Sequence, residues 1–196
     1  MAEAAPPAGL RRAAATVAAL NLGYFGIEAS LALAIGSVAL FADSIDFLED
    51  AAVNALVFVA LAWSARRRAV VGGVLGAFIL VPTVATAWVA WQKLGNPVPP
   101  PALPLLLGAV GALLVNSLSA WLMAPWRARG GSLSRAAFLS ARNDAIANLA
   151  IIAAAGATAL TLSAWPDLVV GLGILVLNAR AALEVWQEAH TEYRSA

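Results

Sequence analysis

The stretch GSVALFADSIDFLED, Gly36 to Asp50, sets four acids, Asp43, Asp46, Glu49 and Asp50, inside what otherwise reads as a hydrophobic membrane segment. A carboxylate at the centre of a bilayer costs at least about 2.5–3.5 kcal/mol on insertion scales. Several of them together must be protonated, face water, pair with a cation of the protein, or bind an ion.

The surrounding chain is a membrane composition. Of 196 residues, 62% are hydrophobic and only 12% are charged, where soluble domains carry about a quarter charged residues. Twelve basic and eleven acidic residues nearly cancel, so no basic field points to nucleic acid. The sequence has no Cys, which excludes a disulfide framework and a thiolate metal site. Two Arg precede the first apolar run, as in a signal peptide. That run continues to Gly36, well beyond an h-region of about 7–15 residues, so it reads as a retained first transmembrane helix.

Segments of roughly 20 apolar residues span a bilayer. Six are expected, at about 13–35, 38–63, 69–92, 104–124, 133–163 and 167–188. The expected class is all-α: a cytoplasmic tail over 1–12, a six-helix transmembrane domain over 13–188 and a short cytoplasmic tail over 189–196. Gly36-Ser37 reads as a tight turn and SARRR (Ser64–Arg68) as a basic loop. LGNPVPPPALP (Leu94–Pro104) is barred from helix by its prolines. PWRARGGSLS (Pro125–Ser134) reads as a basic loop whose Ser132 or Ser134 caps the fifth helix. Arg11, Arg12, Arg66, Arg67, Arg68, Arg127, Arg129 and Arg135 all fall on one side, whereas the opposite loops carry only Lys93. The positive-inside rule then places both termini in the cytoplasm, with Arg66–Arg68 against anionic membrane lipid.

Helical spacing aligns the polar residues, because positions three or four apart share a face. Asp43, Asp46, Asp50 and Asn54 form a stripe on helix two, with Glu49 at its edge. Ser140, Asp144 and Asn148 form another on helix five, next to Asn143. Helix one offers Asn21, Tyr24 and Glu28, helix four Asn116 and Ser119, and helix six Asp167 and Asn178. At 1.5 Å per residue, Asp46 lies roughly 15 Å from the outer end of its helix. Helix five runs the other way, so Asp46, Asp50 and Asp144 converge near the midplane if helices two and five touch. Arg142 is the one basic residue near this depth, and it cannot neutralise the set. It is expected either to pair with Glu28 or to leave Glu28 in a water-filled vestibule. A bound divalent cation, alternating with protons, balances the charge.

At these residues the chain resembles the cation diffusion facilitator, or cation efflux, family of proton-coupled divalent metal exporters. GSVALFADSIDFLED is similar to the family's second-helix signature, a Gly-Ser turn followed by an Ala-Leu-Leu-Ala-Asp run, then His or Asp, and Asp four residues later. SARNDAIANLAIIAA, starting at Ser140, resembles the fifth-helix signature. DLVVGLGILVLNARAALE, starting at Asp167, resembles the sixth helix. The resemblance covers nearly all of residues 13–190.

The resemblance implies that Asp46, Asp50 and Asp144 are metal ligands. Ser140 stands where the family usually has His or Asp. Asp43, Glu49, Asn54, Asn143, Asn148 and Glu28 are further or supporting candidates. Family precedent implies Zn²⁺, Co²⁺ or Cd²⁺, whereas an oxygen-rich donor set suits a harder ion such as Mn²⁺, with Fe²⁺ also admitted. It also implies a homodimer. The cytoplasmic metal-binding domain that follows helix six in many members is expected to be missing, so the helices alone would hold any dimer. The expected activity is metal efflux coupled to protons carried on Asp46, Asp50 or Asp144. The Ala, Arg and Gly bias points to a bacterial inner membrane. The alternative is a non-transporting metal sensor or assembly partner with the same fold. An intramembrane hydrolase is disfavoured, because the chain has no HExxH motif and no nucleophile–base pair beyond Ser140.

Overall fold

The computed structural model describes residues 8–60, 65–128 and 131–195. Six α-helices account for nearly all of the described residues: α1 (Ala8–Ile35), α2 (Val38–Ala60), α3 (Ala65–Gly95), α4 (Ala102–Met123), α5 (Gly131–Thr161) and α6 (Trp165–Ser195). A single 3-10 turn, Ala124–Trp126, follows α4. Among the described residues, three helical stretches, Gly9–Ile35, Ala102–Trp126 and Ala137–Thr161, are long and apolar enough to cross a membrane. α2 is 23 residues long and interrupted by its four carboxylates.

Several helices are longer than the sequence reading expects. α3 begins at Ala65, so Arg66, Arg67 and Arg68 belong to its first turn and not to a loop. α6 continues to Ser195 through residues taken as a tail, and α1 begins at Ala8. Arg, Glu, Gln and Ala are strong helix formers, so a helix need not stop where the apolar run stops. α5 begins at Gly131, ahead of both Ser132 and Ser134, so neither serine is its N-cap. The side chains of Arg66, Arg67, Arg68 and Arg129 lie outside the described residues. The proline run stays non-helical between Gly95 and Ala102. Pro104 sits in the first turn of α4, where a missing N–H breaks no intrahelical bond.

The helices alternate in direction. The C-termini of α1 and α3 meet the N-termini of α2 and α6, and this junction is built from the Gly36-Ser37 turn. Gly36 has φ +67°, a left-handed conformation that glycine adopts without a Cβ clash. Ser37 caps α2, its Oγ accepting from the Leu40 N–H at 3.1 Å. Asp167, from the first turn of α6, accepts from the Val38 and Ala39 N–H groups (2.9 and 3.2 Å) and from the Ser37 hydroxyl (2.5 Å). Lys93 at the end of α3 donates to Asp167 Oδ2 at 2.8 Å and to the Gly36 carbonyl. Asp167 is fully buried and Lys93 nearly so. A Cβ on Gly171 would come within 2.7 Å of the Ala39 nitrogen, so α6 and the start of α2 touch backbone to backbone. Val38, Ala90, Ala164 and Leu168 close an apolar shell around the junction.

The other end is closed by α1, α4 and α5, with Leu10, Ala14, Val17, Met123 and Ala137 packed together. A Cβ on Gly9 would lie 2.8 Å from the Trp126 ring. Between the two ends runs a core of small and branched side chains, among them Ala32, Leu40, Ala109, Ile151, Ala155 and Ile174. The outer surface is apolar. Trp88, Trp91 and Trp165 are exposed at the Gly36 end and Trp121 near the other, as in the aromatic belts of membrane proteins.

The junction predicts an order of stability. Breaking a buried ion pair by removing one partner costs about 3–5 kcal/mol. Asp167→Ala strands Lys93 and three donors, whereas Lys93→Ala leaves Asp167 its helix-end N–H groups. Thermal unfolding in detergent is expected to show both variants destabilised, Asp167→Ala the more. Equal losses would remove the capping role from Asp167.

Candidate functional site

α2 and α5 pack against one another in opposite directions, which sets their polar stripes in register. Asp43 meets Asn148, and seven residues further along α2 Asp50 meets Ser140, eight residues back along α5. Asp46 lies between these contacts on α2 and Asp144 on α5.

At the Asp50 end, Ser140 Oγ stands 2.8 Å from Asp50 Oδ1 and 3.4 Å from Asp144 Oδ2. Its one hydrogen serves one carboxylate at a time. Asp50 is buried and its Oδ2 has no hydrogen-bond partner. Ser140, Asp46 and Asp144 line a cavity of about 250 Å³ together with Glu49, Asn143 and Asn178. Asp46, Glu49, Ser140 and Asp144 are partly exposed, whereas Asn178 is buried and anchors to the Ala42 carbonyl on α2 (3.1 Å). Every polar side-chain atom that can coordinate a cation here is oxygen. Among the described residues no three His, Cys, Asp or Glu side chains are gathered closely enough to hold one ion between them. The Ser140 hydroxyl stands between Asp50 and Asp144.

Other candidates fall elsewhere. Asn54 donates to the Asp50 backbone carbonyl in its own helix (2.8 Å) and does not reach across to α5. Asn148 is turned away from the cavity: it donates to Asp43 Oδ2 at 2.6 Å and accepts from Asn116 at 3.1 Å. Glu28 is fully buried and lies against Asp43. The expected alternatives for Glu28, a pairing with Arg142 or a vestibule, are therefore both corrected. Arg142 is exposed and donates to Asn143 (3.1 Å), because α5 turns that face away from α1. Asn178 is a cavity residue that sequence reasoning left as a helix linker. The signal was its eleven-residue spacing from Asp167, which places both on the α2-facing side of α6.

Oxygen groups on two antiparallel helices, at the wall of a cavity inside an apolar bundle, can strip and hold a cation. Comparison with known proteins decides which kind of bundle this is. The profile of the cation efflux transmembrane domain matches residues 14–190. The chain belongs to the cation efflux family. That family comprises transporters of divalent metal cations, not enzymes, and membership together with the apolar helices makes the chain an integral membrane protein. No curated protein matches the chain.

Within a cation efflux site, the donor at position 140 is open to a direct test. Imidazole is softer than a hydroxyl and completes a tetrahedral set. Ser140→His is expected to raise transport of Zn²⁺ relative to Mn²⁺, measured as the ratio of initial rates in vesicles. An unchanged ratio would mean that residue 140 does not face the ion.

Proposed function

We propose that this chain exports divalent transition-metal cations across a bacterial inner membrane in exchange for protons, through a site formed by Asp46, Asp50 and Asp144 with Ser140. The observation that carries the reading is the Asp50–Ser140–Asp144 contact across α2 and α5 at the cavity wall. On this reading all six helices span the membrane with both termini cytoplasmic, and the alternating bundle and the Arg residues at one end of it support that reading. Arg11, Arg12, Arg127 and Arg135 are exposed there, and Lys93 is drawn into the junction at the other end. The working unit is a homodimer in the lipid bilayer.

The physical chemistry is one of charge balance. Metal binding needs deprotonated ligands, so a divalent ion entering from the cytoplasm displaces protons. Release of two protons per ion leaves loaded and empty sites equal in charge. Both forms can then pass through the change of access without moving net charge through hydrocarbon. Outside, protons return to the carboxyls and the metal leaves. The oxygen-only donor set suits the harder end of the family's range, Mn²⁺ and Fe²⁺, while Zn²⁺, Co²⁺ and Cd²⁺ remain the family's usual cargo.

Asp50→Ala is expected to abolish metal flux into inside-out vesicles while the protein still inserts, because the change removes a charge that opposes insertion. Wild-type flux should require an opposing proton gradient, and metal affinity should fall as pH falls, since protons and metal compete for the same oxygens. Normal flux in Asp50→Ala would sink the site. Metal binding without flux in the wild type would favour a sensor or assembly role.

A further inference from the structure

A second group of acids lies outside the cavity, one helical turn nearer the Gly36 end of α2. Glu28 from α1 and Asp43 from α2 are both fully buried and lie against one another. Asp43 is oriented by a chain of amides: Asn116 on α4 donates to Asn148 on α5 (3.1 Å), which donates to Asp43 Oδ2 (2.6 Å). That chain satisfies one Asp43 oxygen and leaves Oδ1 without a donor. Both Glu28 oxygens also have no donor.

Two facing carboxyl groups offer acceptors only, unless one carries a hydrogen. A buried carboxylate without donor or counter-charge is not stable. Glu28 and Asp43 have no cationic partner, since the one ion pair among the described residues joins Lys93 to Asp167. The titratable neighbours are Tyr24 on α1, whose hydroxyl donates to the Gly108 carbonyl on α4, and Asp46 on α2, with Asp144 on α5 acting at longer range. The groups facing from α4 and α5 are the neutral amides Asn116 and Asn148. A hydrogen between Glu28 and Asp43 satisfies both.

We propose that Glu28 and Asp43 form a proton-binding site separate from the metal ligands, holding one shared proton that is given up when metal binds. The inference rests on the proton-coupled reading above and names where one coupling proton resides. A divalent ion near Asp46 places positive charge one turn from Asp43. The shared O–H bond then breaks, its proton passes to water, and the pair is left with two negative charges that offset the ion. When the metal leaves, a proton returns to the pair. The pair lies between the cavity and the Gly36 end of the bundle.

Calorimetric titration with Mn²⁺, in buffers of differing ionisation enthalpy, counts the protons released per ion by purified protein in detergent. Glu28→Gln preserves shape and supplies a donor to Asp43 while fixing the charge. Neither residue lines the cavity, and the readout is the number of protons released at saturating Mn²⁺, whatever the affinity. The release should fall by about one proton relative to wild type. In infrared difference spectra, Mn²⁺ binding should remove a carboxylic-acid C=O band in the wild type that is missing in Glu28→Gln. Asp43→Asn should give the same two results and serves if the Gln variant does not fold. Release equal to wild type in either variant, with the band retained, would overturn the assignment while leaving antiport intact. Absence of release in the wild type would overturn the antiport reading itself.

Discussion

The Asp167 carboxylate governs the architecture. The first N–H groups of any helix lack intrahelical partners, and inside a membrane bundle no water is at hand to take them. α2 solves this with an acid borrowed from α6, whose oxygens accept from Val38, Ala39 and Ser37. An anion at a helix N-terminus also meets the positive end of the helix dipole. Lys93 supplies the remaining charge from α3, so one buried carboxylate joins three helices and the turn leading from a fourth. The position of α2 along the bundle axis is set at this point. The depth of every acid on α2 follows from it.

With α2 held there, its acids separate into two groups with different surroundings. The antiparallel course of α5 sets Asn148 against Asp43 and Ser140 against Asp50. Around Asp43 the bundle is closed by α1 and α4, and the amide chain gives it one donor. Around Asp46, Asp50 and Asp144 the neighbours are α5 and α6, and a cavity of about 250 Å³ remains. A serine hydroxyl in the position usually held by His or Asp is smaller and supplies only one hydrogen. The site is therefore oxygen-only, and its carboxylates are linked through the hydroxyl and not clustered around a point.

Much of this was legible in the residues themselves. Apolar runs of roughly 20 residues need helices in lipid, because only intrachain bonding satisfies the backbone there. The glycine at 36 and the prolines from 97 to 101 could only be breaks. Four acids at helical spacing in such a segment demanded a compensating partner. The ends of α1, α3, α5 and α6 were read short, because hydropathy stops at the lipid boundary whereas helix propensity does not.

Contacts between helices were beyond the sequence. Helical periodicity places residues on a face but says nothing of which neighbour covers that face. Asp43, Asp46 and Asp50 therefore formed one stripe by spacing, and only packing assigned the first to Glu28 and Asn148, the second to the cavity and the third to the Ser140 hydroxyl behind its wall. Lys93 read as a lone loop charge, and its partner lies 74 positions away in the chain. Local sequence determined the six helices, their breaks and the residue types available for chemistry. The tertiary structure decided which carboxylates are closed in among amide donors and which line open space, because that depends on the register of α2 against α5 and on the helices that cover each end.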